Sequence, residues 1–355
     1  TNSVSATATD AAGNVSSAGT QSLTIDTTAP NAPTVTSATL NNSTTPILTG
    51  TAEADSTVTV TVGGATYTTT ATNGTWSINL ATATPTAGSL SLDANGTNTV
   101  SATATDAAGN TSSAGTQTLT IDTTAPNAPT VTTTLSDSTT PTLTGTAEAG
   151  STVTVSVGGA TYTTTATDGT WSLNLATATP ASGSLNLNAN GTNSVSATAT
   201  DAAGNTSSAG TQTLTIDTTA PNAPTVTSAV LSNSTTPILT GTAEADSTVT
   251  VTVGGATYTT TATGGTWSIN LATATPASGS LNLDPNGSNT VSATATDAAG
   301  NTSSAGTQTL TIDTTLPDAP TVTSAALSNS ATPILTGTAE ADSTVTVTVG
   351  GATYT

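Results

Sequence analysis

The stretch Ala-Thr-Asp-Ala-Ala-Gly-Asn at residues 104–110 occurs four times in this chain of 355 residues, with its Asp at positions 10, 106, 201 and 297. The copies follow one another at intervals of 96, 95 and 96 residues. Self-similarity at a fixed period identifies a tandem array of one unit. A period of this length is too long for a solenoid coil and matches an independently folding β-sandwich. We therefore expect a series of such units, taken from a longer array.

Alternating apolar residues predict the strands of one unit. Val and Thr alternate strictly over residues 57–62, which is typical of a half-buried strand rich in β-branched residues. Gly63-Gly64 and Asn73-Gly74 are hairpin-turn signals, and residues 76–80 alternate again. Further short strands are predicted at residues 34–36, 47–52, 90–92 and 100–104 and at the end of the unit, where Leu119 and Ile121 should point inward.

The number and length of these segments predict the fold. No segment has the 3.6-residue period of an amphipathic helix. About seven to nine short strands, with turn signals about every 8 to 12 residues, are typical of an immunoglobulin-like sandwich. The predicted fold class is all-β, with tandem immunoglobulin-like β-sandwiches that form an elongated rod. Residues 29–124, 125–219 and 220–315 are predicted to be complete repeats, 1–28 the C-terminal part of one, and 316–355 the N-terminal part of another.

Each complete repeat contains a single Trp, at position 76, 171 or 267. A Trp on an alternating strand is expected to anchor the core, where the other side chains are mostly small. The alternative is an exposed indole on which a sugar ring could stack.

The composition excludes several classes of function. The chain has no Lys, Arg, His or Cys, and its 20 acidic residues give a formal net charge of −20. We therefore expect no nucleic-acid partner and no anionic membrane partner. No stretch approaches about 18 consecutive apolar residues, so membrane insertion is not expected either. Catalysis based on His, Cys or Lys is impossible, and we expect no enzymatic activity.

The linkers and two loops hold most of the acidic residues. The linker at residues 122–129 has two prolines that should keep it extended and make the junction between adjacent repeats semi-rigid. Other acidic residues follow the second strand or precede the last strand, and the topology of the sandwich brings all three places to one pole. The predicted metal ligands are Asp26, Glu53, Asp55, Asp106, Asn110, Asp122, Glu148, Asp201, Asn205, Asp217, Glu244, Asp246, Asp297, Asn301, Asp313, Glu340 and Asp342.

Calcium is the predicted occupant of these junction sites. Carboxylates gathered at one pole would repel one another, and the chain has no cationic side chain to relieve this repulsion. Calcium accepts about six to eight oxygen ligands at loosely specified angles. The alternative is that Asp-Ala-Ala-Gly-Asn is only a turn, because Asp and Gly are good turn residues. Gly150 replaces one of the carboxylates, so the site of the second complete repeat should be the weakest.

The run Asp-Thr-Thr-Ala-Pro-Asn-Ala-Pro-Thr-Val, together with Gly-Thr-Ala-Glu-Ala and Ala-Thr-Asp-Ala-Ala-Gly-Asn, resembles the bacterial Ig-like repeats of giant biofilm-associated and type I secreted adhesins. The resemblance covers the whole chain. It implies an extracellular extender region on the bacterial cell surface, stiffened by calcium at the junctions, that supports adhesion and biofilm formation. Host-surface or biofilm-matrix ligands would then bind outside this sequence. The alternative function is a repeat-borne module that binds glycans or other adhesin arrays.

Overall fold

The computed structural model describes all 355 residues, and its regular elements are β-strands. The predicted all-β fold class is therefore confirmed. The leading partial copy contains β1 (Asn2–Ala6) and β2 (Gly19–Leu23). The strands of the first complete copy are β3 (Thr34–Val35), β4 (Leu40–Asn41), β5 (Ile47–Thr51), β6 (Thr57–Val62), β7 (Ala65–Thr70), β8 (Thr75–Asn79), β9 (Asn95–Thr105) and β10 (Gly115–Asp122).

The later copies repeat this order. The second contains β11 (Leu135–Ser136), β12 (Thr142–Thr146), β13 (Thr152–Val157), β14 (Ala160–Thr165), β15 (Thr170–Asn174), β16 (Asn190–Thr200) and β17 (Gly210–Asp217). The third contains β18 (Thr225–Val226), β19 (Leu231–Ser232), β20 (Ile238–Thr242), β21 (Thr248–Val253), β22 (Ala256–Thr261), β23 (Thr266–Asn270), β24 (Ser288–Thr296) and β25 (Gly306–Ile312). The trailing partial copy contains β26 (Thr321–Val322), β27 (Gly337–Thr338), β28 (Val347–Val349) and β29 (Ala352–Tyr354).

Each complete copy has two sheets. In the first copy the smaller sheet has the order β3-β5-β8, and the larger has the order β4-β10-β9-β6-β7. The larger sheet recurs as β11-β17-β16-β13-β14 and as β19-β25-β24-β21-β22, and the smaller one as β12-β15 and β18-β20-β23. The short strand β4 runs parallel to β10, and β19 runs parallel to β25. The second and last strands of these copies are therefore joined directly.

The strand register places two loops at the same pole of each copy. Thr57 at the start of β6 pairs with Thr105 at the end of β9. The turn that contains Glu53 and Asp55 precedes β6, and the loop that begins at Asp106 follows β9, so both lie at this end of the sandwich. The topology that the sequence predicted for these two acidic segments is confirmed.

The core of each copy is built from the inward residues of the alternating strands. In the first copy Val58 and Val60 of β6 are completely buried, and Leu119 and Ile121 of β10 are buried as well. The single indole is also interior, because Trp76, Trp171 and Trp267 are each only 3% exposed. Each complete copy has a separate cluster of this kind. The prediction of Trp as a core anchor is confirmed.

Two details of the strand prediction were wrong. Residues 90–92 form no strand; Leu90 and Leu92 pack partly buried against the core, and Ser91 N donates to Gly63 O at 2.9 Å. A single main-chain bond of this kind does not make a ladder. The sequence prediction also missed β4, which has only two residues and no alternation to reveal it.

The chain divides into two compact units, Thr1–Leu135 with Thr139–Ile216, and Ser136–Ser138 with Asp217–Thr355. The predicted repeat boundaries at 28, 124, 219 and 315 are a finer division, and they stay a prediction. None of the elements is a helix of the length and apolarity that crossing a membrane would require.

Candidate functional site

The Asp…Asn loop before the last strand is a closed hydrogen-bonded ring. In the second copy Asp201 Oδ1 accepts from the main-chain N–H groups of Gly204 and Asn205, both at 2.8 Å. Asp201 Oδ2 accepts from the Nδ2 group of Asn205, also at 2.8 Å. Gly204 has a φ of +96°, which a side chain would strain, so the Gly of the motif is needed for this turn. The Asp carboxylate is therefore used to build its own loop.

The amide of the same Asn reaches the preceding linker. Within the first unit Asn205 Nδ2 donates to the main-chain carbonyl of Asp122 at 2.8 Å, and Asn110 Nδ2 donates to that of Asp26 at 3.2 Å. Within the second unit Asn301 Nδ2 donates to the carbonyl of Asp217 at 2.7 Å. The sequence predicted that the Asn and the linker Asp would both supply oxygen ligands to a metal. In the structure the Asn amide instead donates an N–H group to the main-chain carbonyl of that Asp.

The linker carboxylates face their own chain. Asp122 Oδ1 accepts from the N–H group of Thr124 at 2.9 Å, which closes a short turn at the start of the linker. The same bond is present at 2.9 Å in the three equivalent linkers, which begin at Asp26, Asp217 and Asp313. The linker therefore offers its main-chain carbonyl to the neighbouring loop.

The turn after the second strand holds the remaining predicted ligands. The carbonyl of Glu53 accepts from the buried Ser56 Oγ at 2.7 Å, and Asp55 has a φ of +65°. The bond from Ser Oγ recurs at Glu148, Glu244 and Glu340, and positive φ recurs at Asp246 and Asp342. Gly150 has a φ of +82°. The position requires a left-handed backbone, which Asp tolerates and Gly adopts freely, so this turn explains the Asp-to-Gly difference.

The three acidic segments of each copy share a pole, but their side chains do not converge. No group of three or more Asp or Glu side chains anywhere in the 355 residues is placed so that it could hold a metal ion. The loop carboxylate is already bonded to three N–H groups, and the linker carboxylate closes its own turn. As placed, these side chains do not fit a calcium site. Calcium binding stays a prediction from the sequence.

The loop bonds lower the pKa of the Asp that begins this loop in every copy. The Asn110 side-chain bond, followed by main-chain N–H bonds, holds the pKa of Asp106 below its ordinary value. Burial raises the pKa of Asp201 and Asp297, but bonds from Asn205 and Asn301 outweigh it, so the pKa of each carboxyl is lowered. The folded loop therefore favours the charged form of the Asp.

A buried Ser closes this loop, and the sequence prediction missed it. Ser207 is 8% exposed; its Oγ accepts from the N–H group of Ala199 at 2.9 Å and donates to the carbonyl of Ser208 at 2.8 Å. Ser112 and Ser303 make the same pair of bonds in the other complete copies. The signal was available, because Ser-Ser-Ala-Gly begins two residues after the Asn in all four copies of the motif.

An open groove runs over the indole on the outer side of the sandwich. In the second copy it has a volume of about 650 Å³, and in the first about 530 Å³. Thr side chains make up most of its lining, and Trp171 or Trp76 belongs to it. Since each indole is almost completely buried, the groove presents hydroxyl groups and little aromatic surface.

Several solved structures are similar to this chain. One, from a 1.5-MDa bacterial ice-binding adhesin studied for host cell surface retention, is 28% identical, covers 77% of this chain and 93% of its own, and has a TM-score of 0.28. The FN1–FN3 domains of chicken CNTN1 are 12% identical, cover 81% and 100%, and have a TM-score of 0.36. Fibronectin(III)-like modules of Clostridium thermocellum CbhA are 13% identical, cover 52% and 94%, and have a TM-score of 0.34.

Comparison with curated proteins gives no match. The model of the bacterial Ig-like domain family matches three consecutive segments, residues 33–123, 130–218 and 225–314. Each segment contains one of the two-sheet sandwiches described above, with its own buried Trp. The chain therefore belongs to the bacterial Ig-like domain family, in three tandem copies.

Proposed function

We propose that this chain is a structural extender region of a bacterial cell-surface adhesin, and that it holds a ligand-binding tip away from the cell. The observation that carries the proposal is the repetition of one bacterial Ig-like sandwich, each copy with a separate core and with its Asp…Asn loop bonded to the short linker before it. Each added copy lengthens an array of this kind. The stability of the array is the sum of contributions from each repeat and from its contacts with its neighbours.

The chemistry of the chain agrees with a structural role. The hydrogen bonds of each Asp…Asn loop join it to the linker before it. The chain has no His, Cys, Lys or Arg with which to build a catalytic pair. We therefore propose no catalytic activity. Adhesion and biofilm cohesion would depend on host-surface or matrix ligands that bind outside residues 1–355, and the chain would be displayed outside the cell.

Calcium is not part of this proposal. The sequence predicts it at the junctions, while the linker and loop carboxylates as placed do not form a ligand set. An extender does not require the metal, because a hydrogen bond already joins each loop to the linker before it. Calorimetric titration of the full chain with calcium tests this prediction directly.

A display experiment tests the extender role. A carbohydrate-binding tip is fused to one end of the full chain, the other end is anchored on bacterial cells that carry a thick surface polysaccharide, and capture of glycan-coated beads is measured. We expect capture to fall when residues 125–219 are deleted and to return when those residues are replaced by residues 220–315. Capture that does not depend on the number of copies would overturn the proposal.

The alternative, a glycan-binding repeat, has the Thr-lined groove of the first and second copies as its concave candidate. The groove lacks an exposed aromatic platform, since the indoles are only 3% exposed. The matched arm of the display experiment is the chain without the tip. Saturable bead capture by that arm, lost on Thr144→Val and Thr170→Val, would favour glycan binding by the repeats over an extender role.

A further inference from the structure

We infer that the Asn of each Asp…Asn loop is a metal-free fastener that holds its copy to the linker before it. The fastener residues are Asn110, Asn205 and Asn301. This inference concerns the joints of the chain and holds whether or not the chain serves an adhesin.

The first support is the complete use of the amide group. A primary amide has two N–H donors. In Asn205 one reaches Asp201 Oδ2 and the other reaches the carbonyl of Asp122, both at 2.8 Å. These two acceptors belong to different copies, and a single side chain joins them.

The second support is the absence of any cationic side chain. The chain has no Lys, Arg or His, so no cationic side chain can bridge a carboxylate and a carbonyl. A cation could do so, but the acidic side chains do not gather around this point. The Asn amide satisfies both acceptors without an ion.

The third support is that the loop fixes the position of the Asn amide independently of the linker. The main-chain N–H group of Asn205 is bonded to Asp201 Oδ1, its side-chain amide is bonded to Asp201 Oδ2, and the residue is 9% exposed. Little rotamer freedom remains to be lost when the linker binds. The bond to the linker should therefore contribute more than an exposed hydrogen bond would.

The leading partial copy provides an internal comparison. Asn14 donates from Nδ2 to Asp10 Oδ2 at 2.9 Å, and its N–H group donates to Asp10 Oδ1 at 2.9 Å. The loop at residues 10–14 thus closes through the same bonds within its own segment. Closing the loop and fastening the linker are separate tasks of the same residue.

Replacing the Asn by Asp separates a fastener from a calcium ligand, because the two roles predict opposite effects. If the amide is the fastener, Asp would place a third acceptor against Asp201 Oδ2 and the Asp122 carbonyl, and the joint would loosen. If calcium held the joint, an added carboxylate would supply a further charged oxygen ligand and strengthen the site.

The experiment is small-angle X-ray scattering of the full chain and of the variant Asn110→Asp, Asn205→Asp, Asn301→Asp, each with excess chelator and with calcium. Asn14→Asp is the matched control for the full chain of residues 1–355, because it changes the same bond within the loop and none of the three bonds to a linker. Thermal unfolding verifies that every copy remains folded. We expect the wild type and the control to scatter identically with and without calcium, and the triple variant to become more flexible in chelator.

Two results would overturn the fastener: loosening of the wild type on chelation, or a triple variant in chelator that scatters like the wild type. If the triple variant fails to fold, side-chain amide hydrogen exchange in the wild type decides. The Nδ2 hydrogens of Asn205 and Asn301 should then exchange at least about tenfold more slowly than those of Asn14, corresponding to about 1.4 kcal/mol of protection. Equal exchange rates at Asn14, Asn205 and Asn301 would contradict the inference that the Asn amide fastens its copy to the linker.

Discussion

Gly145 of β12 lies directly opposite Trp171 of β15, and a Cβ atom at Gly145 would approach the indole Cε2 and Nε1 atoms to 2.7 Å. It would also collide with the carbonyl of Thr130, which accepts the indole N–H at 3.1 Å. The ring therefore fills the place that a side chain would otherwise take, and the Gly in Gly-Thr-Ala-Glu-Ala is required by this contact.

Gly145→Ala should destabilise the second copy by about 1–3 kcal/mol, because the new methyl group overpacks a site with no room to relax. Urea unfolding of the full chain, followed by Trp fluorescence, would show one of three transitions shifted to lower urea. Gly150→Asp is the control; a Cβ there has no atom within 4 Å, and other copies carry Asp at this position with positive φ. We expect it to change the free energy of unfolding by less than about 0.5 kcal/mol.

Trp171→Ala should unfold the second copy while the others stay folded. Truncating a buried aromatic residue costs roughly 3–5 kcal/mol, against a typical domain stability of roughly 5–15 kcal/mol. The neighbouring copies have separate cores around Trp76 and Trp267. Calorimetry should lose or shift one transition, whereas the exposed change Thr163→Ala in the same copy should leave all of them in place. An unchanged thermogram for Trp171→Ala would mean that the indole is not a core anchor.

Ser207→Ala should cost about 1–3 kcal/mol, since it leaves the buried N–H group of Ala199 without its acceptor. The adjacent Ser208 is exposed and contributes only its main-chain carbonyl to this contact, so Ser208→Ala is a closely matched control. Amide hydrogen exchange provides the site-specific measurement. The Ala199 amide should lose protection in the first variant and keep it in the second; equal protection in both would contradict a closing role for Ser207.

Acid should weaken the copies through their loop carboxylates. The pKa values of Asp106, Asp201 and Asp297 are lowered in the fold, so the charged forms stabilise the native state. This stabilisation is complete above the unfolded-state pKa of about 3.9 and is lost as the pH falls through the lower folded value. Urea midpoints measured between about pH 7 and pH 2.5 should fall most steeply below about pH 4.

The matched variant for this acid effect replaces all three loop Asp residues by Asn. Its urea midpoint should be lower than that of the wild type at neutral pH and should fall less steeply in acid. Parallel curves for the two proteins would show that other carboxyl groups cause the acid sensitivity.

The repeat period, the alternation in β6 and the turns at Gly63-Gly64 and Asn73-Gly74 were sufficient to predict the sandwich. They are local signals, because a pleated strand fixes which side chains are inward and a left-handed turn demands particular residues. Strand β4 has two residues and is held by pairing with β10, about 80 residues later in the chain. Nothing local to Leu40 reveals such a partner.

The sequence predicted where the acidic segments of a junction lie, but not which groups their side chains contact. Strand register brings the loops of Glu53 and Asp106 to one pole, and the sequence indicated this correctly. The direction of each carboxylate depends on its own turn. Asp201 and Asp122 both face N–H groups of their own segments, so composition alone could not tell a ligand set from a pair of capped turns.

The parallel pairing of β4 with β10 also decides how a copy resists tension. Leu40 lies near the entrance of the first copy's sequence, and its partner Thr120 lies two residues before the exit at Asp122. Pulling the two linkers apart would slide these strands past each other, which loads their hydrogen bonds in shear, together rather than one after another. A segment of only two residues can thus act as a mechanical clamp between the two ends of its copy.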